Sequence, residues 1–365
     1  YDRPPLTKAA ITGTDEPQPA WLMAEDIATS LSVTVKRGVG AVAIDCEDRI
    51  LSLADGKRLA YGKLLLATGA KPRRPTLPGG ENARVLRNFE DSVELRQRFA
   101  PGRSIAIIGA GFIGLELAAS ARKRGCAVTV IESQPRILMR GVSEQVARIV
   151  DARHRAAGVT LRTGTGIAAL TANSVELSSG ESIPADTIVA GIGAAPDIRL
   201  ADAAGLAIDN GIAVDATLCT SDAGIYAAGD CCSFPHALYG GQRIRLEAWR
   251  NAQDQGSLVA DNLLGAGKAY QAVPWFWSDQ FDMSLQVAGL PGFGSQVVER
   301  PLGPDSLLTF HLDAEGRLLA ACGIGLGNAV ARDIKLAEMM IAKSARPAAA
   351  QLADPAVPLK SLARG

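Results

Sequence analysis

Three glycines near the middle of the sequence have the spacing of a phosphate-binding turn. The run Gly109-Ala-Gly111-Phe112-Ile113-Gly114 directly follows a short apolar segment, residues 104–108, that is typical of a buried strand. In such a turn, Gly109 permits the tight bend, Gly111 lets the backbone approach a pyrophosphate, and Gly114 lets the next helix pack closely against the strand. N–H groups at the start of that helix would then face the phosphates. The run therefore predicts a dinucleotide-binding site that includes Phe112 and Ile113.

An acidic residue ends the next predicted strand. Apolar residues recur at helical spacing after Gly114, Gly125 is a suitable helix stop, and the apolar segment 127–131 leads directly to Glu132. Glu132 lies 18 residues after Gly114, where an acid accepts a hydrogen bond from the adenine ribose 2′-hydroxyl and repels a 2′-phosphate. We therefore expect NADH rather than NADPH. The alternative, a glycine-rich structural turn, leaves the position of Glu132 unexplained.

A repeated segment indicates a second nucleotide-binding domain. Residues 56–72 and 180–196 both begin with glycine, pass through a buried strand to a glycine turn at Gly69 or Gly193, and end with proline. Such a repeat suggests two related domains. The glycine run at 109 precedes the second copy by 71 residues, and the same offset before the first copy falls at about residue −15. We therefore expect the first strand, glycines and helix of the other domain to lie ahead of Tyr1.

Further motifs give the sequence a resemblance to a known family. They are Tyr1-Asp-Arg-Pro-Pro-Leu-Thr-Lys8, Ile225-Tyr-Ala-Ala-Gly-Asp230 and Pro274-Trp-Phe-Trp-Ser-Asp-Gln280, together with the two glycine turns. The whole chain resembles the FAD-dependent NADH:ferredoxin reductases, such as putidaredoxin reductase and the reductase components of bacterial ring-hydroxylating dioxygenases. The resemblance implies a glutathione-reductase-like α/β fold, with two Rossmann-type nucleotide-binding domains and a C-terminal α+β domain.

The resemblance also implies three domains. The FAD-binding domain takes residues 1–91 and 214–273, the NAD-binding domain is inserted at 92–213, and an interface domain covers 274–365. Apolar patterns in the interface domain predict four short strands followed by a helix over 329–342, which is typical of a compact α+β domain.

By resemblance, the redox site lies beside Lys8. In the family this lysine is next to the flavin and pairs with the acid at Glu116, and its charge would stabilise negative charge on the reduced flavin. The resemblance further implies a set of residues that line the FAD site, namely Arg3, Ala41, Thr68, Gly69, Arg87, Asp230, Trp249 and Trp277.

Several of these residues also have plainer explanations. Asp230 ends a strand at a Gly-Asp turn and could accept hydrogen bonds from flavin ribityl or ribose hydroxyls, but an aspartate in a turn needs no ligand. An acid in the first turn of a helix is favoured by the helix dipole alone, which would account for Glu116. Trp275 and Trp277 stand in an aromatic cluster, and aromatic clusters usually belong to the core.

The stretch before Lys8 bears on the electron acceptor. Related disulfide reductases carry a redox-active cysteine pair a few residues before the equivalent lysine, whereas Arg3-Pro-Pro-Leu-Thr7 contains no cysteine. By resemblance we expect a ferredoxin–NAD(+) reductase, in which hydride passes from NADH to FAD and single electrons pass to an acidic [2Fe–2S] ferredoxin that supplies a dioxygenase or a cytochrome P450. The alternatives are a rubredoxin reductase or diaphorase, a non-catalytic NADH-responsive flavoprotein of the apoptosis-inducing-factor type, and a fragment without flavin.

Composition and charge exclude other partners. The 365 residues include 38 basic and 38 acidic side chains, so no global field favours nucleic acid or an anionic membrane. No uncharged run is long enough to span a bilayer and no export signal is recognisable, so we expect a cytoplasmic protein. The six cysteines and three histidines have no metal-binding spacing. Arg332 and Lys335 could belong to a basic patch for the ferredoxin, or be ordinary solvated charges.

Overall fold

The computed structural model describes residues 1–24 and 26–363, and the chain divides into two units. The first unit contains Tyr1–Asp2, Ala20–Lys71 and Ala195–Ala272, and the second contains Arg3–Pro19, Pro72–Ala194 and Val273–Gly365. Most of the predicted NAD-binding domain thus shares a unit with the predicted interface domain, and the division into three domains stays a prediction. Those domains include Glu25, Arg364 and Gly365, which lie outside the described residues.

The strands are short and the helices are of moderate length. The strands of the first half are β1 Ala41–Asp45, β2 Ile50–Leu53, β3 Arg58–Ala60, β4 Leu64–Leu66, β5 Ala70–Pro72, β6 Ser104–Ile108, β7 Ala127–Ile131, β8 Val159–Arg162, β9 Ile167–Leu170, β10 Ser174–Leu177 and β11 Ser182–Pro184. The later strands are β12 Thr187–Ala190, β13 Ala194–Pro196, β14 Ile212–Ala213, β15 Ile225–Ala227, β16 Cys232–Pro235, β17 Arg243–Ile244, β18 Trp275–Gln280, β19 Met283–Gly289, β20 Gln296–Gly303, β21 Ser306–Leu312 and β22 Leu318–Leu326.

The helices connect and cover these strands. They are α1 Ala9–Thr12, α2 Ile27–Ser30, α3 Phe89–Arg98, α4 Phe112–Lys123, α5 Glu144–Ala156, α6 Arg199–Ala203, α7 Trp249–Leu263, α8 Ala331–Ala342, α9 Ala349–Ala353 and α10 Leu359–Leu362. Within the described ranges, none of them combines the length and the apolar character that a membrane-spanning helix requires.

A four-stranded parallel sheet, in the order β12-β6-β7-β8, lies at the centre of the second unit. Both faces of this sheet are covered. Ile105 and Ile107 of β6 belong to a core shared with α4 and α5, whereas Ala106 and Ile108 belong to a second core shared with the sheet β11-β10-β9. Burial on both faces explains why residues 104–108 form a continuous apolar run instead of an alternating one.

The second unit also contains a five-stranded antiparallel sheet, in the order β18-β19-β22-β21-β20, and α8 packs on β19 and β22. The sequence predicted only four of these strands, because the aromatic residues of β18 do not alternate with polar ones. Helix α5 holds this sheet at the hairpin between β18 and β19. Arg153 forms an ion pair of 2.7 Å with Asp282, and its guanidinium lies 5.0 Å from the centroid of the Phe281 ring. Met283, Leu285 and Ile324 of the antiparallel sheet also belong to the core of β6, α4 and α5, which joins the two sheets in one unit.

In the first unit, β4 and β15 pair in parallel, with Leu66 opposite Ala227. Gly69 follows β4 and Asp230 follows β15, so both residues lie at the carboxyl end of this strand pair. The carboxyl ends of parallel strands are where α/β folds bind ligands. The unit also contains two three-stranded sheets, β1-β2-β3 and β14-β16-β17.

Because two histidines are buried, we predict that the free energy of unfolding falls in mild acid. Burial lowers the pKa of His154 and of His311 to about 4, from an ordinary value of 6.5. Both are therefore neutral in the fold but take up a proton on unfolding below pH 6.5, so the stability that they contribute is complete above pH 6.5 and is lost as the pH falls towards 4. Each should add about 1.4 kcal/mol per pH unit to the slope of unfolding free energy in that window.

The measurement is thermal or denaturant unfolding at a series of pH values. His311→Gln should give a shallower loss of stability than the unchanged protein between pH 6.5 and 4. Identical slopes for the two proteins would contradict the prediction.

Candidate functional site

The predicted phosphate-binding turn joins β6 to α4, and its glycines have distinct geometries. Gly109 has φ +97°, and a Cβ there would lie 2.6 Å from the carbonyl oxygen of Gly191. A Cβ on Gly114 would lie 2.1 Å from the carbonyl oxygen of Gly109, so the helix touches the turn at this point. A Cβ on Gly111 would meet no atom within 4 Å. The turn is therefore packed against neighbouring backbone at Gly109 and Gly114, and it borders open space at Gly111.

The N-terminus of α4 faces this open space without a side-chain cap. Gly111 is the N-cap residue, and no side chain of the described residues accepts a hydrogen bond there. The first N–H groups of a helix lack partners within the helix, and they carry a partial positive charge. The turn and the helix start thus fit a pyrophosphate. Phe112 packs edge-on against Phe276 with ring centroids 4.8 Å apart, while Ile113 is 47% exposed beside the turn.

The side chain of Glu132 lies next to the glycine turn and also forms a hydrogen bond with its backbone. One carboxylate oxygen, Oε2, accepts a hydrogen bond of 2.8 Å from the backbone N–H of Ala110, and Oε1 accepts one of 2.8 Å from the N–H of Gln134. The carbonyl of Ala110 in turn accepts a hydrogen bond from the N–H of Leu138. The side chain predicted to bind a ribose therefore also fixes the backbone of the glycine turn, a role that the sequence pattern did not indicate.

The resemblance paired Lys8 with Glu116, and the structure places the two side chains together. Lys8 Nζ lies 3.1 Å from Glu116 Oε1 and 3.8 Å from Asp279 Oδ2. Glu116 is buried on α4, and the hydroxyls of Thr7 and Ser278 donate hydrogen bonds to its two oxygens, the latter at 2.7 Å. A buried carboxylate with a cation and two hydroxyl donors is fully compensated.

The aromatic cluster of β18 lies beside this ion pair. Lys8 Nζ is 5.8 Å from the centroid of the Trp277 ring, and the rings of Trp275 and Trp277 stack with centroids 5.4 Å apart. Both indoles are partly exposed. A lysine ammonium over a partly exposed indole face is a cation–π contact, and it keeps the positive charge at the surface of the second unit.

The predicted FAD residues of the first unit gather at the carboxyl ends of β4 and β15. Thr68 Oγ1 donates a hydrogen bond of 2.6 Å to the carbonyl of Asp197, and the carbonyl of Gly69 accepts one from the N–H of Asp197. Next to Asp230, Gly229 has φ +82° and donates its N–H to Gln255 Oε1 at 2.7 Å. These turns resemble the Gly109 turn in having positive φ at a strand end, which fits a second nucleotide.

The remaining predicted residues are more dispersed. Trp249 begins α7 in the first unit and donates its indole N–H to Asp2 Oδ1 at 2.7 Å, whereas Ala41 begins β1 in a separate sheet. Arg3 and Arg87 belong to the second unit. Gly193 belongs to the same unit and has φ +95°. Its carbonyl accepts a hydrogen bond from the backbone N–H of Arg73.

Three residues around the ion pair were missed by the sequence analysis. Thr7, Ser278 and Asp279 surround Lys8 and Glu116, although all three lie inside motifs already singled out, residues 1–8 and 274–280. The motifs carried a signal for them, but only the fold shows that the two motifs meet at one carboxylate.

Two family models match the chain. One, described as pyridine nucleotide-disulphide oxidoreductase, matches residues 1–256, and one described as reductase C-terminal matches residues 275–363. The anthranilate 1,2-dioxygenase system ferredoxin–NAD(+) reductase component of Burkholderia cepacia is 40% identical over 99% of this chain and 89% of its own length. The corresponding p-cumate 2,3-dioxygenase component of Pseudomonas putida is 34% identical over 100% of this chain and 89% of its own.

Solved structures agree with these relatives. Putidaredoxin reductase in its covalent complex with putidaredoxin superposes with a TM-score of 0.92 at 32% identity, covering 98% of this chain and 88% of that one. A ferredoxin reductase of Rhodopseudomonas palustris superposes with a TM-score of 0.92 at 36% identity, covering 100% of this chain and 90% of that one. The predicted family and fold class are confirmed.

The unequal crowding of the turn predicts unequal effects of two alanine substitutions. In Gly114→Ala the new Cβ must displace the backbone of Gly109, which should cost about 1–3 kcal/mol or more and lower Tm by several degrees. In Gly111→Ala the new Cβ enters open space at φ −79°, so only the small loss from alanine at an N-cap, under about 1 kcal/mol, is expected. Thermal unfolding of both variants checks this, and equal losses of Tm would contradict it.

Proposed function

We propose that this chain, which belongs to the pyridine nucleotide-disulphide oxidoreductase family, transfers a hydride from NADH to FAD. It then passes single electrons to a [2Fe–2S] ferredoxin that supplies an oxygenase. One observation carries this proposal. The helix α4 that begins at the glycine turn also bears Glu116, whose ion pair holds Lys8. A single helix therefore sets the position of a lysine charge relative to the nicotinamide dinucleotide.

FAD, when bound, supplies the redox chemistry, because it accepts a hydride and gives up electrons one at a time. The chain's own residues bind and orient. The glycine turn receives the pyrophosphate of NADH, and Glu132 receives the adenine ribose. Lys8 would place a positive charge beside the flavin, and the Trp277 ring lies 5.8 Å from the Lys8 ammonium. The residues proposed to hold FAD are Arg3, Ala41, Thr68, Gly69, Arg87, Asp230 and Trp249.

The proposal includes the domain boundaries and the location. The first family match ends at residue 256 and the second begins at residue 275, which supports an interface domain that begins at 274. We assign FAD to 1–91 and 214–273, and NADH to 92–213. A cytoplasmic location agrees with NADH as the electron donor.

Spectroscopy and rapid kinetics test the proposed function. The purified protein should absorb near 450 nm, and anaerobic mixing with NADH should bleach that band. A [2Fe–2S] ferredoxin should then restore it much faster than rubredoxin does. Rubredoxin is the second candidate, because rubredoxin–NAD(+) reductase of Ectopseudomonas oleovorans is 40% identical over 79% of this chain. Fast turnover with rubredoxin alone would replace the ferredoxin proposal, and absence of bleaching by NADH would refute both.

The double role of Glu132 predicts different results for two substitutions. Glu132→Gln keeps a carbonyl oxygen that can accept the N–H of Ala110 but removes the negative charge that repels a 2′-phosphate. It should therefore bring kcat/KM for NADPH about tenfold or more closer to that for NADH. Because the amide NH2 cannot accept the N–H of Gln134, Glu132→Gln should also lower Tm slightly. Glu132→Ala should relax the preference too, but should lower Tm further than Glu132→Gln does, because the N–H groups of Ala110 and Gln134 both lose their acceptor. An unchanged cofactor preference in Glu132→Gln would refute the assignment.

The basic residues of α8 give a prediction about the partner. Arg332 and Lys335 are exposed one turn apart, and Lys335 Nζ pairs with Glu338 Oε2 at 3.0 Å while its side chain remains 62% exposed. If this patch meets an acidic ferredoxin, reversal of both charges should raise KM for ferredoxin several-fold and weaken its salt dependence. Arg148→Glu on α5, also exposed, is the matched control and should change neither. The same KM in the double variant and the control would remove the patch from the proposal.

A further inference from the structure

A line of buried hydrogen bonds continues from Glu116 to a histidine on another helix. Ser278 Oγ donates to Glu116 Oε1 at 2.7 Å, Gln280 Nε2 donates to Ser278 Oγ at 3.0 Å, and Gln280 Oε1 lies 2.8 Å from His154 Nε2. All four residues are buried, with Ser278 and His154 fully excluded from solvent. The line joins α4, β18 and α5 within the second unit.

The hydrogen bonds of this line all run in one direction. Gln280 uses its amide nitrogen on Ser278, so its carbonyl oxygen can only accept from His154, and His154 must carry its proton on Nε2. The hydroxyl proton of Ser278 then remains for Glu116. If the amide of Gln280 were reversed, the single proton of Ser278 would face two acceptors, and one of them would lose its hydrogen bond. His154 Nδ1, by contrast, has no hydrogen-bond partner among the described residues.

The far end of the line is held rigidly. Phe281, which follows Gln280 in the hairpin between β18 and β19, has φ +59°, and a bulky residue stays in that region only where its surroundings determine it. The ring of His154 packs edge-on against Phe281 with centroids 4.9 Å apart, and Arg153 covers the same ring at 5.0 Å. Helix α5 therefore sets the position of the strand end that carries Ser278 and Gln280.

The line cannot serve as a proton path. A carboxamide such as Gln280 passes no proton without an unfavourable change of tautomer, and burial lowers the pKa of His154 to about 4, which keeps its ring neutral near pH 7. What the line can do is direct one hydrogen-bond donor at Glu116. A carboxylate oxygen that accepts a directed hydrogen bond is limited to one orientation, and Lys8 Nζ binds to that same oxygen.

We propose that Gln280 and His154 are positioning residues for the redox site: through Ser278 they hold the Glu116 carboxylate in one orientation and thereby fix the ammonium of Lys8. The inference rests on the proposed function, since fixing Lys8 matters for the rate only if its charge acts on a flavin. Neither residue touches the ion pair directly, so each acts at a distance through its neighbour.

A double-mutant cycle tests the inference in the holoprotein. Gln280→Met keeps the length of the side chain and removes both of its hydrogen bonds. Alone, it should slow the reduction of the flavin by NADH by about threefold to tenfold, with little change in KM for NADH, and it should lower the midpoint potential of the flavin. Combined with Lys8→Met, it should have almost no further effect on rate or potential. Ser278→Ala, which removes one oxygen, should behave in the same way and serves if Gln280→Met folds poorly.

Thr309→Val is the matched control. Thr309 is fully buried in the antiparallel sheet and forms hydrogen bonds with Ser143 and His311, away from Glu116. It should lower Tm and leave the rate and the potential unchanged. If Gln280→Met slows the reaction equally with and without Lys8, its role is merely structural and the inference is overturned.

Two further measurements do not depend on activity. Nitrogen-15 NMR of the histidine rings should show His154 protonated at Nε2 and bare at Nδ1. Crystal structures of the unchanged protein and of Gln280→Met should show a longer distance between Lys8 Nζ and Glu116 Oε1 in the variant. The opposite tautomer or an unchanged distance would refute the inference. Failure of NADH to reduce the unchanged protein would instead refute the proposed function, and the two results are therefore distinguishable.

Discussion

The ion pair between Lys8 and Glu116 is the interaction on which the arrangement of the second unit depends. A carboxylate that is only 5% exposed is costly unless a cation and hydrogen-bond donors surround it. The partners come from distant parts of the chain, with Thr7 and Lys8 near the N-terminus and Ser278 on β18. The N-terminal segment, α4 and the C-terminal sheet must therefore all be in place before this one charge is compensated, which couples their folding.

Helix α4 connects that ion pair with the nucleotide turn. Its first N–H groups point towards the open space at Gly111, and Glu116 follows five residues later, about 7.5 Å further along the helix axis. Because Gly114 lets the helix touch the carbonyl of Gly109, α4 cannot slide on the sheet. The glycine turn and the lysine charge are thus held at a fixed separation by one rigid element, and relatives that are ferredoxin–NAD(+) reductases match 99% and 100% of the chain.

Much of the fold could be predicted from the sequence, and the outcome depended on how local each feature is. The strand at 104–108 was predicted where the structure has it, and the helix after the glycine turn was predicted correctly except that it begins at Phe112, inside the glycine run, because apolar periodicity and the glycine spacing are local properties. The predicted start of α8 is two residues too early, whereas its end agrees with the structure. The pairing of Lys8 with Glu116 was accessible only through the family resemblance, since no local pattern links residues so far apart.

The sequence by itself determined where the glycine turn forms and which acid follows it, because positive φ and close backbone approach admit only glycine at fixed positions. Only the tertiary structure decided that Glu132 also holds the backbone of that turn, and that Glu116 is linked to His154. The physical reason is that these contacts are hydrogen bonds between side chains and partners distant in sequence, 162 residues for Ser278 and Glu116 and 126 for His154 and Gln280. Such bonds depend on direction and on tenths of an ångström, which packing alone sets.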